Sequence, residues 1–428
     1  MADGYVPIGK LFNVEKGQLQ STKCTPGVFD FITAAEDWKT HHDYDHECEA
    51  LIFAAAASGS LGRTHYVDGK FISSDLCFIL TPKDEEKYPL NLEFYHFVFN
   101  SLRPTLVAAT KSGTSKESIN QTNFKKYELP YFSIEQQDSW IEKLKSTMVR
   151  KDLLGCELTH QQTLLKKLRQ QILQEAIEGK LTADWREENP DVEPASELLA
   201  RIKAEKEQLI KDKKIKKQKA LPPITDKEKP FDLPDGWGLC RLDGVVTFTN
   251  GKAHEQLIDS SGEYILINSK YISMNGRVIK RTSKCMCPVY KNDILIVMSD
   301  VPNGKALARC FLVDKNDAYS LNQRIGSLTP LGDLFPEFLA LLLDRNKHFL
   351  GFNDGKKQTN LRKDQILSCP LAIPTVSEQK AIVSIVEKLF AVCDQLETQV
   401  TSNQAHAEQL MQAVLKEAFS QSSNTCAA

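Results

Sequence analysis

The pattern of apolar and polar positions divides the chain into two β-rich stretches and two helical ones. Short apolar runs split by Gly, Asn and Asp predict strands and turns in residues 5–130 and again in residues 237–370. The clearest predicted strands are KFISSDLCFIL (70–80), EYILINSKYI (263–272) and NDILIVMSD (292–300). Each stretch also contains one predicted helix, at 91–102 and at 335–350. The pattern therefore predicts an α+β fold with two globular domains that consist mostly of strands.

Heptad spacing of apolar residues predicts a long helix after each β-rich stretch. In the first helix the seam steps by four and three residues through Leu154, Leu158, Gln161, Leu165, Leu168 and Ile172. In the second helix the seam runs through Ile385, Leu389, Val392 and Leu396, and resumes at Leu410 and Val414. Such long stripes cannot be buried inside a small β-rich domain. We therefore expect the two helices to pack against each other, antiparallel, with one domain at each end.

The order of short matches along the chain predicts an internal duplication. The matched pairs are QTN at Gln121 and at Gln358, EQ at Glu135 and at Glu378, LRQQILQEAIE from Leu168 and LMQAVLKEAFS from Leu410, and IGKLFNVEKG from Ile8 and LDGVVTFTNG from Leu242. The matches keep their order and a nearly constant separation. They therefore predict a repeated unit of roughly 240 residues with small insertions and deletions.

Composition narrows the class of protein. At 428 residues, with 41% apolar and 26% charged residues, the chain is expected to fold as a soluble protein of two or more domains. No apolar run approaches the ~20 residues of a membrane-spanning helix, and the N-terminus lacks the pattern of a secretory signal. The 11 cysteines form no CxxC pair, which is typical of reduced thiols in a cytoplasmic protein. With a net charge of −2, any contact with nucleic acid has to come from local basic patches.

Three segments carry a resemblance to a known family. They are QEAIEGKLTADWRE (174–187), PASELLARIKAEKEQLIK (194–211) and LPDGW (233–237). They occur in a fixed order with a β-rich domain, a heptad helix, a Lys-rich helix, a second β-rich domain and a second heptad helix. On these grounds essentially the whole chain resembles the specificity (S) subunit of Type I restriction-modification systems.

The resemblance implies an architecture and a set of partners. It implies two globular α/β target-recognition domains of mostly β structure, residues 1–133 and 237–374, each reading half of a split DNA sequence. Two helical conserved regions, 134–220 and 375–428, would separate them, with a Pro-rich linker at 221–236. The implied partners are double-stranded DNA, two methyltransferase subunits and restriction subunits that act as motor and nuclease. S-adenosylmethionine, ATP and Mg²⁺ would be bound in those partner subunits and no cofactor in this chain.

The predicted geometry agrees with a bipartite DNA site. A helix over residues 152–180 would be about 43 Å long at ~1.5 Å per residue, or roughly 13 base pairs at ~3.4 Å each. Two long, antiparallel, coiled-coil-like helices would therefore hold two DNA-reading domains a defined distance apart. A pseudo-twofold arrangement produced by duplication would also suit two identical partner subunits.

The sequence lacks the motifs of the associated catalysis. It contains no Asn/Asp-Pro-Pro-aromatic motif for amino-methyl transfer, no Gly-rich methyl-donor loop, no Walker phosphate loop and no nuclease-type cluster of carboxylates with Lys. SGSLGR, which ends at Arg63, resembles a phosphate loop but lacks its Lys, and it predicts a turn between strands. We therefore expect a non-catalytic DNA-recognition subunit.

Candidate DNA contacts are polar and basic residues in the predicted loops, because Lys and Arg suit phosphates and Arg, Asn and Gln suit base edges. In the first domain they are Ser60, Arg63, Lys111, Ser112, Thr114, Ser115, Lys116, Asn120 and Asn123. In the second domain they are Asn268, Lys270, Tyr271, Asn303, Lys305, Asn322, Gln323, Arg324, Lys356, Lys357, Gln358 and Asn360. Candidates for spacing and partner docking are Leu158, Leu165, Leu168, Ile172, Leu389, Val392, Leu396, Leu410 and Val414.

Two other functions stay open at this point. A coiled-coil scaffold whose β-rich domains bind proteins or glycans would show the same helices, and salt-dependent binding of duplex DNA separates the two functions. A metal hydrolase built on His41, His42 and His46 of HHDYDHEC would need a fixed ligand geometry in what is predicted to be a polar loop.

Overall fold

The computed structural model describes residues 4–57, 59–112, 117–218, 220–301, 304–353, 355 and 357–420. These residues form two compact units. Unit one combines the chain up to Gln162 with the chain from Gln399 onward, and unit two is Thr163–Thr398. Across the described ranges, no helix is both long enough and apolar enough to cross a lipid bilayer.

Unit one is organised around a six-stranded sheet. The strands of unit one are β1 (Gly4–Pro7), β2 (Phe12–Lys16), β3 (Phe29–Ile32), β4 (Lys39–His41), β5 (His46–Ala54), β6 (Thr64–Ser73), β7 (Cys77–Pro82), β8 (Lys111–Ser112), β9 (Ser118–Ile119) and β10 (Glu128–Tyr131). The sheet order is β2-β7-β5-β6-β3-β4, and β1 pairs with β10 and β8 with β9 in separate ladders. All of these pairs are antiparallel except β3 and β6. The helices are α1 (Ile8–Leu11), α2 (Leu92–Thr110), α3 (Gln121–Lys126) and α4 (Ile134–Ile177), of which α4 continues beyond the last residue of this unit.

The central strand β5 divides its side chains between two cores. Leu51 and Phe53 belong to the cluster that contains the apolar face of α2. Ala50, Ile52 and Ala54 belong to a second cluster on the opposite face of the sheet. Side chains alternate between the faces of a strand, so burial on both faces explains the continuous apolar run LIFAAAA in the sequence.

Unit two has more and shorter strands. They are β11 (Gly238–Arg241), β12 (Val246–Asn250), β13 (Tyr264–Ile267), β14 (Arg281–Thr282), β15 (Ile294–Val297), β16 (Ser299–Asp300), β17 (Cys310–Leu312), β18 (Tyr319–Leu321), β19 (Ile325–Pro330), β20 (Thr359–Asn360) and β21 (Pro370–Ile373). The sheets are β12-β19-β15-β17, β14-β13-β18, β11-β21 and β16-β20. The helices are α5 (Ala183–Glu188), α6 (Ala195–Lys211), α7 (Leu242–Val245), α8 (Ser269–Ser273), α9 (Pro336–Leu343), α10 (Lys347–Leu350), α11 (Lys363–Leu367) and α12 (Val376–Ser420), of which α12 continues beyond this unit.

The strand pairing of unit two repeats that of unit one. The ladder β1–β10 corresponds to β11–β21, and the parallel pair β3–β6 corresponds to the parallel pair β13–β18. The central strand β15 also serves two cores, since Ile294 and Ile296 join one cluster and Leu295 and Val297 join another. The main difference is that β6 is continuous, whereas residues 313–318 split its counterpart into β17 and β18.

Hydrogen bonds at the start of the long helices correct the predicted repeat alignment. Gln137 Oε1 accepts from the N-cap N–H of α2 at 2.7 Å, and Gln379 Oε1 accepts from the N-cap N–H of α9 at 2.8 Å. These two glutamines therefore hold equivalent positions. Glu378 corresponds to Gln136 rather than to Glu135, so the predicted EQ match is one residue out of register.

The QTN match is also not a structural repeat. In unit one the triplet that begins at Gln121 opens α3, whereas in unit two its last two residues form β20. The equivalent positions are Ile119 and Leu361, because their N–H groups donate to Ala55 O and Met298 O, each at 2.7 Å. The same three letters therefore serve a helix start in one unit and a strand in the other.

Several predicted elements differ in extent from the observed ones. The predicted strand 70–80 is the end of β6, a turn and the start of β7, and the predicted strand 263–272 ends where Asn268 caps α8. The predicted helix 335–350 is divided into α9 and α10, because Arg345 adopts a left-handed φ of 52° between them. The helix predicted at 91–102 extends to Thr110 as α2.

The predicted apolar seam is half correct in α4 and has the wrong phase in α12. In α4, Leu158 and Ile172 are buried and Leu165 is half-buried, whereas Leu154 and Leu168 are exposed. Among the described side chains of α12, the buried apolar positions are Ile382, Val383, Val386, Cys393 and Val400. Of the predicted α12 seam, Leu389 and Val414 are half-buried, and Val392, Leu396 and Leu410 are exposed. Val386, Cys393 and Val400 repeat every seven residues, as Leu389 and Leu396 do, so periodicity alone could not choose between the two stripes. The buried stripe includes a cysteine that packs as a small apolar residue.

Within unit one, the first part of α4 and the last part of α12 run antiparallel. Lys151 pairs with Glu408 at 3.1 Å, and the earlier Lys143 pairs with the later Glu417 at 3.4 Å. Such exposed pairs each contribute about 1 kcal/mol or less. They specify the alignment of the two helices more than they stabilise the fold.

Candidate nucleic-acid interface

One edge of unit two collects the ends of β13 and β15 and the start of β19. The Asn322 N–H donates to Ile267 O at 3.0 Å, and the Met298 N–H donates to Arg324 O at 3.0 Å. These backbone bonds place residues 322–324 beside the ends of both strands. Asn268, which directly follows Ile267, is thereby brought to the same edge as Arg324.

The short ladder between β16 and β20 brings two more predicted segments to this edge. Ser299 and Asn360 are paired in register, and Gln358 Nε2 donates to Ser299 Oγ at 2.7 Å. Lys357 directly precedes Gln358 and is exposed. The loop that follows β16 therefore lies beside the segment that precedes β20.

Asp300 bonds to described residues on both sides of the loop after β16. Its carboxylate accepts from the N–H groups of Val301 at 2.9 Å, Ala306 at 2.7 Å and Leu307 at 3.1 Å. Three charge-assisted bonds from backbone donors fix the path of a loop more firmly than neutral bonds would. Lys305 is exposed in this loop, where its ammonium group suits a phosphate.

The corresponding edge of unit one is closed by equivalent bonds. The Ser74 N–H donates to Ile32 O at 2.9 Å, as the Asn322 N–H does to Ile267 O in unit two. The turn after β5 is closed by the Gly62 N–H, which donates to Ala54 O at 2.8 Å. The predicted residues Ser60 and Arg63 both lie on this turn, so residues 59–63 of the SGSLGR segment form a turn between strands, as predicted.

Two arginines converge on the turn of unit one. Arg63 Nη1 donates to Ala34 O at 3.3 Å, and its Nη2 lies 3.5 Å from the Glu36 carboxylate. Arg103 of α2 donates from Nε to Leu61 O at 2.8 Å. Burial lowers the pKa of Arg103, and the nearby charge of Arg63 lowers it further. The turn therefore combines positive charge with fixed geometry.

The second predicted segment of unit one is the β8–β9 hairpin. Lys111 Nζ pairs with the Glu117 carboxylate at 2.9 Å, and Ser112 Oγ donates to Ser118 O at 3.4 Å. Both predicted residues are exposed. The candidates Thr114, Ser115, Lys116, Asn303 and Lys356 lie outside the described residues.

Tyr271 is a core residue and not a DNA contact. It is only 7% exposed, and its ring lies 5.5 Å from that of Phe311 and 6.4 Å from that of Tyr319. The sequence prediction for Tyr271 was therefore wrong. From sequence, an aromatic residue beside Asn and Lys fits a core position and a DNA-contacting loop equally well. Only the packing of Tyr271 against residues of β17 and β18 shows that it is a core position.

Three of the predicted asparagines serve the backbone. The side-chain oxygens of Asn120 and Asn268 cap α3 and α8, which satisfies N–H groups that a helix start leaves unpaired. Asn322 is buried, and its Oδ1 accepts from the Arg324 N–H at 3.3 Å. The structure therefore gives each of these three side chains a backbone contact, and DNA contact by them stays a prediction. The predicted candidates that are exposed are Lys111, Ser112, Asn120, Asn123, Lys270, Lys305, Gln323, Arg324, Lys357, Gln358 and Asn360.

The histidine-rich segment has no metal-site geometry. His41 is buried, and its Nδ1 accepts from the Thr25 N–H at 3.1 Å. His46 Nδ1 lies 2.6 Å from the Asp45 carboxylate. In the described part of the chain, no three His, Cys, Asp or Glu side chains are placed to bind one metal ion together. The hydrolase hypothesis therefore has no geometric support.

Comparison with known proteins decides the family. A family model described as the Type I restriction modification DNA specificity domain matches residues 4–149 and 234–404, most of the chain. The chain belongs to this family. The resemblance inferred from the sequence is thereby confirmed. The two matched segments each contain one β-rich region and the beginning of the long helix that follows it.

Individual relatives of the Type I specificity family differ in how much of the chain they match. The Type I restriction enzyme EcoEI specificity subunit of Escherichia coli is 30% identical over 256 residues, which cover 55% of this chain and 42% of that protein. The EcoDI specificity subunit of Escherichia coli is 22% identical over 429 residues, 97% of this chain and 87% of that protein. The crystal structure of the HsdS subunit from Thermoanaerobacter tengcongensis shares the fold, with a TM-score of 0.58 at 16% identity over 98% of this chain and 96% of that one.

In this member of the Type I specificity family, the long helices carry exposed apolar residues within unit two. Leu164 and Leu168 of α4 are one turn apart, and so are Val392 and Leu396 of α12. All four are between 44% and 52% exposed. Residues four apart share one face of a helix, so each pair forms a short apolar stripe. We call these the apolar helix stripes.

Proposed function

We propose that this chain is the non-catalytic DNA specificity subunit of a Type I restriction-modification complex. The observation that carries the proposal is the polar edge of unit two, where strand ends and turns hold exposed basic side chains, namely Lys305, Arg324 and Lys357. Cations at such positions suit phosphates, and Arg, Asn and Gln suit base edges. Membership of the DNA specificity family and the names of the relatives support the same function.

Each unit would read one half of a bipartite DNA site. The shared strand pairing supports a duplicated origin, with two target-recognition domains of common framework. The split of β17 and β18, absent from the continuous β6, supports different targets for the two units. In unit two, Arg324, Gln358 and Asn360 would contact bases while Lys305 and Lys357 would neutralise phosphates.

The long helices would set the spacing and dock the catalytic partners. We propose that α4 and α12 act as the ruler between half-sites and that the apolar helix stripes bind methyltransferase subunits. The duplicated origin of the two units would suit two identical methyltransferase subunits, and restriction subunits would join that core. S-adenosylmethionine would be bound by the methyltransferases, and ATP and Mg²⁺ by the restriction subunits. The complex would act on DNA in the cytoplasm.

Mapping of methylated bases tests the proposal. The chain is coexpressed with its methyltransferase subunit in a host without restriction systems, and methylated adenines are located by single-molecule sequencing. We expect a motif with two specified halves and an unspecified spacer that disappears when this chain is omitted. A contiguous motif, or a motif that persists without this chain, contradicts the proposal.

An exchange of domains separates the roles of the two units. Residues 1–133 are moved into a related specificity subunit of known motif, and methylation is mapped again. We expect one half-site of the motif to change and the other to stay. If duplex DNA does not bind the assembled complex in a salt-dependent way, a protein- or glycan-binding scaffold becomes the better hypothesis.

A further inference from the structure

Gln358 is an exposed glutamine whose amide is held by a buried serine. Its Nε2 donates to the Oγ of Ser299 at 2.7 Å, and Ser299 is only 6% exposed. A glutamine at the surface ordinarily rotates about its side-chain bonds, and ordering it for a ligand costs conformational entropy. The bond to Ser299 orders the Gln358 side chain before any ligand is present, which lowers the entropy that binding still has to cost.

The backbones that carry these two side chains are joined by hydrogen bonds. Ser299 of β16 is paired in register with Asn360 of β20, two residues after Gln358. The N–H of Leu361 donates to Met298 O at 2.7 Å, which extends this connection by one residue. Because donor and acceptor lie on or beside connected strands, the bond from Gln358 to Ser299 fixes the direction of the amide relative to the sheet.

The surroundings of Gln358 suit a DNA duplex. Lys357 directly precedes it and is exposed, so a cation for phosphates lies next to a side chain that suits base edges. The Met298 N–H donates to Arg324 O at 3.0 Å, which brings the exposed Arg324 beside the strand that carries Ser299. The fixed amide therefore belongs to the polar edge to which the proposed function assigns DNA.

The donors and acceptor of the Gln358 amide match one base in particular. A primary amide has two N–H groups and one acceptor oxygen, and one N–H of Gln358 donates to Ser299. The second N–H and Oε1 together form one donor and one acceptor. In the major groove adenine presents the complementary pair, N7 as acceptor and N6 as donor, whereas guanine presents two acceptors.

We infer that Gln358 reads one adenine in the half-site of unit two and that Ser299 is the positioning residue that orients its amide. The inference rests on the proposed function, which assigns Gln358 a base contact without naming the base. Ser299 is buried, so it acts through Gln358 and not by touching DNA. Without the Ser299 hydroxyl, the amide rotates about its last side-chain bond, and its donor and acceptor exchange places.

The test compares Gln358→Ala, Ser299→Ala and the double variant, each assembled with the methyltransferase subunit. Each complex methylates a plasmid library in which the half-sites identified with the natural chain are randomised, and single-molecule sequencing counts the methylated sites. We expect Gln358→Ala to lose about tenfold or more in preference for adenine at one base pair, the scale of one bidentate base contact. Ser299→Ala should lose about twofold to tenfold at the same base pair, the scale of one hydrogen bond. The double variant should be no worse than Gln358→Ala, because two residues that act as one unit are not additive.

Ser327→Ala is the matched control for the loss of a buried hydroxyl. Ser327 of β19 is 3% exposed, and its Oγ has no hydrogen-bond partner among the described residues. We expect Ser327→Ala to keep every base preference of the natural chain. If Ser299→Ala does not assemble, Ser299→Cys is judged by the same criterion, because a thiol nearly keeps the size of the side chain but accepts hydrogen bonds weakly.

The outcomes separate the inference from the proposed function. A natural complex without a bipartite motif overturns the proposed function. A natural complex with that motif overturns the inference alone if Gln358→Ala keeps every base preference, loses a preference for a base other than adenine, or loses preference equally at both half-sites. Full adenine preference in Ser299→Ala, beside a loss in Gln358→Ala, overturns the positioning role of Ser299.

Discussion

The buried carboxylate of Glu378 accepts a 2.9 Å hydrogen bond from the indole Nε1 of Trp237, which lies 141 residues earlier in the chain. Its other oxygen accepts from Thr182 Oγ1 at 2.6 Å and from the guanidinium of Arg186. Glu378 is only 1% exposed. The segments QEAIEGKLTADWRE and LPDGW, which carried the resemblance to the family, therefore meet at the first turn of α12. Thr182, Arg186 and Trp237 are the residues of these segments that donate to this one carboxylate.

Removing the Glu378 carboxylate should strongly destabilise unit two. Glu378→Ala leaves Arg186 without its buried partner, and breaking a buried ion pair from one side costs about 3–5 kcal/mol. The guanidinium keeps some access to water, so we expect about 3 kcal/mol, measured by urea unfolding with tryptophan fluorescence. The control is Glu387→Ala at an exposed position of the same helix, which should change stability by less than about 0.5 kcal/mol. Equal effects of the two substitutions would contradict this account.

Gln137 should be essential to unit one. Its Nε2 donates to Phe132 O at 2.8 Å and to Pro89 O at 3.1 Å, and its Oε1 accepts from Asn91 N–H at 2.7 Å. Gln137→Leu leaves buried groups unpaired, each at a cost of about 1–3 kcal/mol, so we expect a loss of about 2 kcal/mol or more. Urea unfolding measures the loss, and Glu142→Leu, an exposed change to the same residue, should be near neutral.

The stability of unit one should fall in mild acid through His65. Its Nδ1 accepts from Trp38 Nε1–H at 3.2 Å, and its Nε2 donates to Ala35 O at 2.8 Å, which fixes the neutral ring. Burial lowers the pKa of His65 below its usual 6.5, and the charge of Arg63 lowers it further. The unfolded chain therefore binds more protons as pH drops below 6.5, and stability decreases there while it is unaffected above pH 7.

Substitution of His65 checks this sign. The difference in urea midpoint between pH 7.5 and pH 5.5 should be smaller for His65→Gln than for the natural chain. His160→Gln removes an exposed histidine of α4 and should leave the difference unchanged. A pH dependence that both variants share with the natural chain would show that His65 is not its source.

The apolar helix stripes should govern assembly and not folding. Leu164→Ser combined with Leu168→Ser removes two leucines that a bound methyltransferase would bury, each worth about 1.5–3 kcal/mol. We expect at least about tenfold weaker binding of the methyltransferase by calorimetry, with the unfolding midpoint unchanged. Lys167→Ser, at an exposed position between the two leucines, is the matched control and should bind normally.

Single cations at the polar edge of unit two should contribute to DNA binding independently of sequence. Lys357→Ala should weaken binding by the assembled complex equally on all duplexes and reduce the slope of log K against log salt by about 1. Lys227→Ala removes an exposed cation from the Pro-rich linker and should leave that slope unchanged. An effect confined to one sequence would instead assign Lys357 to base recognition.

The order of elements along the chain followed from local patterns. Apolar runs bounded by turn residues located strands such as β5 and β15, and heptad spacing located both long helices, since periodicity depends only on neighbouring positions. Predictions were wrong where two different structures fit the same sequence pattern. Val392 and Leu396 satisfied the same spacing as the buried stripe of α12, and the two QTN triplets matched by letters while Ile119 and Leu361 hold the equivalent positions.

The sequence by itself determined the family, the alternation of β-rich and helical regions, and the residue types available at the polar edges. Only the tertiary structure decided which of those residues face outward, because Tyr271, Asn268 and Asn322, which are buried or half-buried, differ from the exposed candidates in their partners and not in their residue type. It also revealed Ser299, which contacts the amide of Gln358, a residue far from it in sequence. Strand pairing and helix packing create such partnerships, and a local pattern carries no trace of a contact made between distant segments.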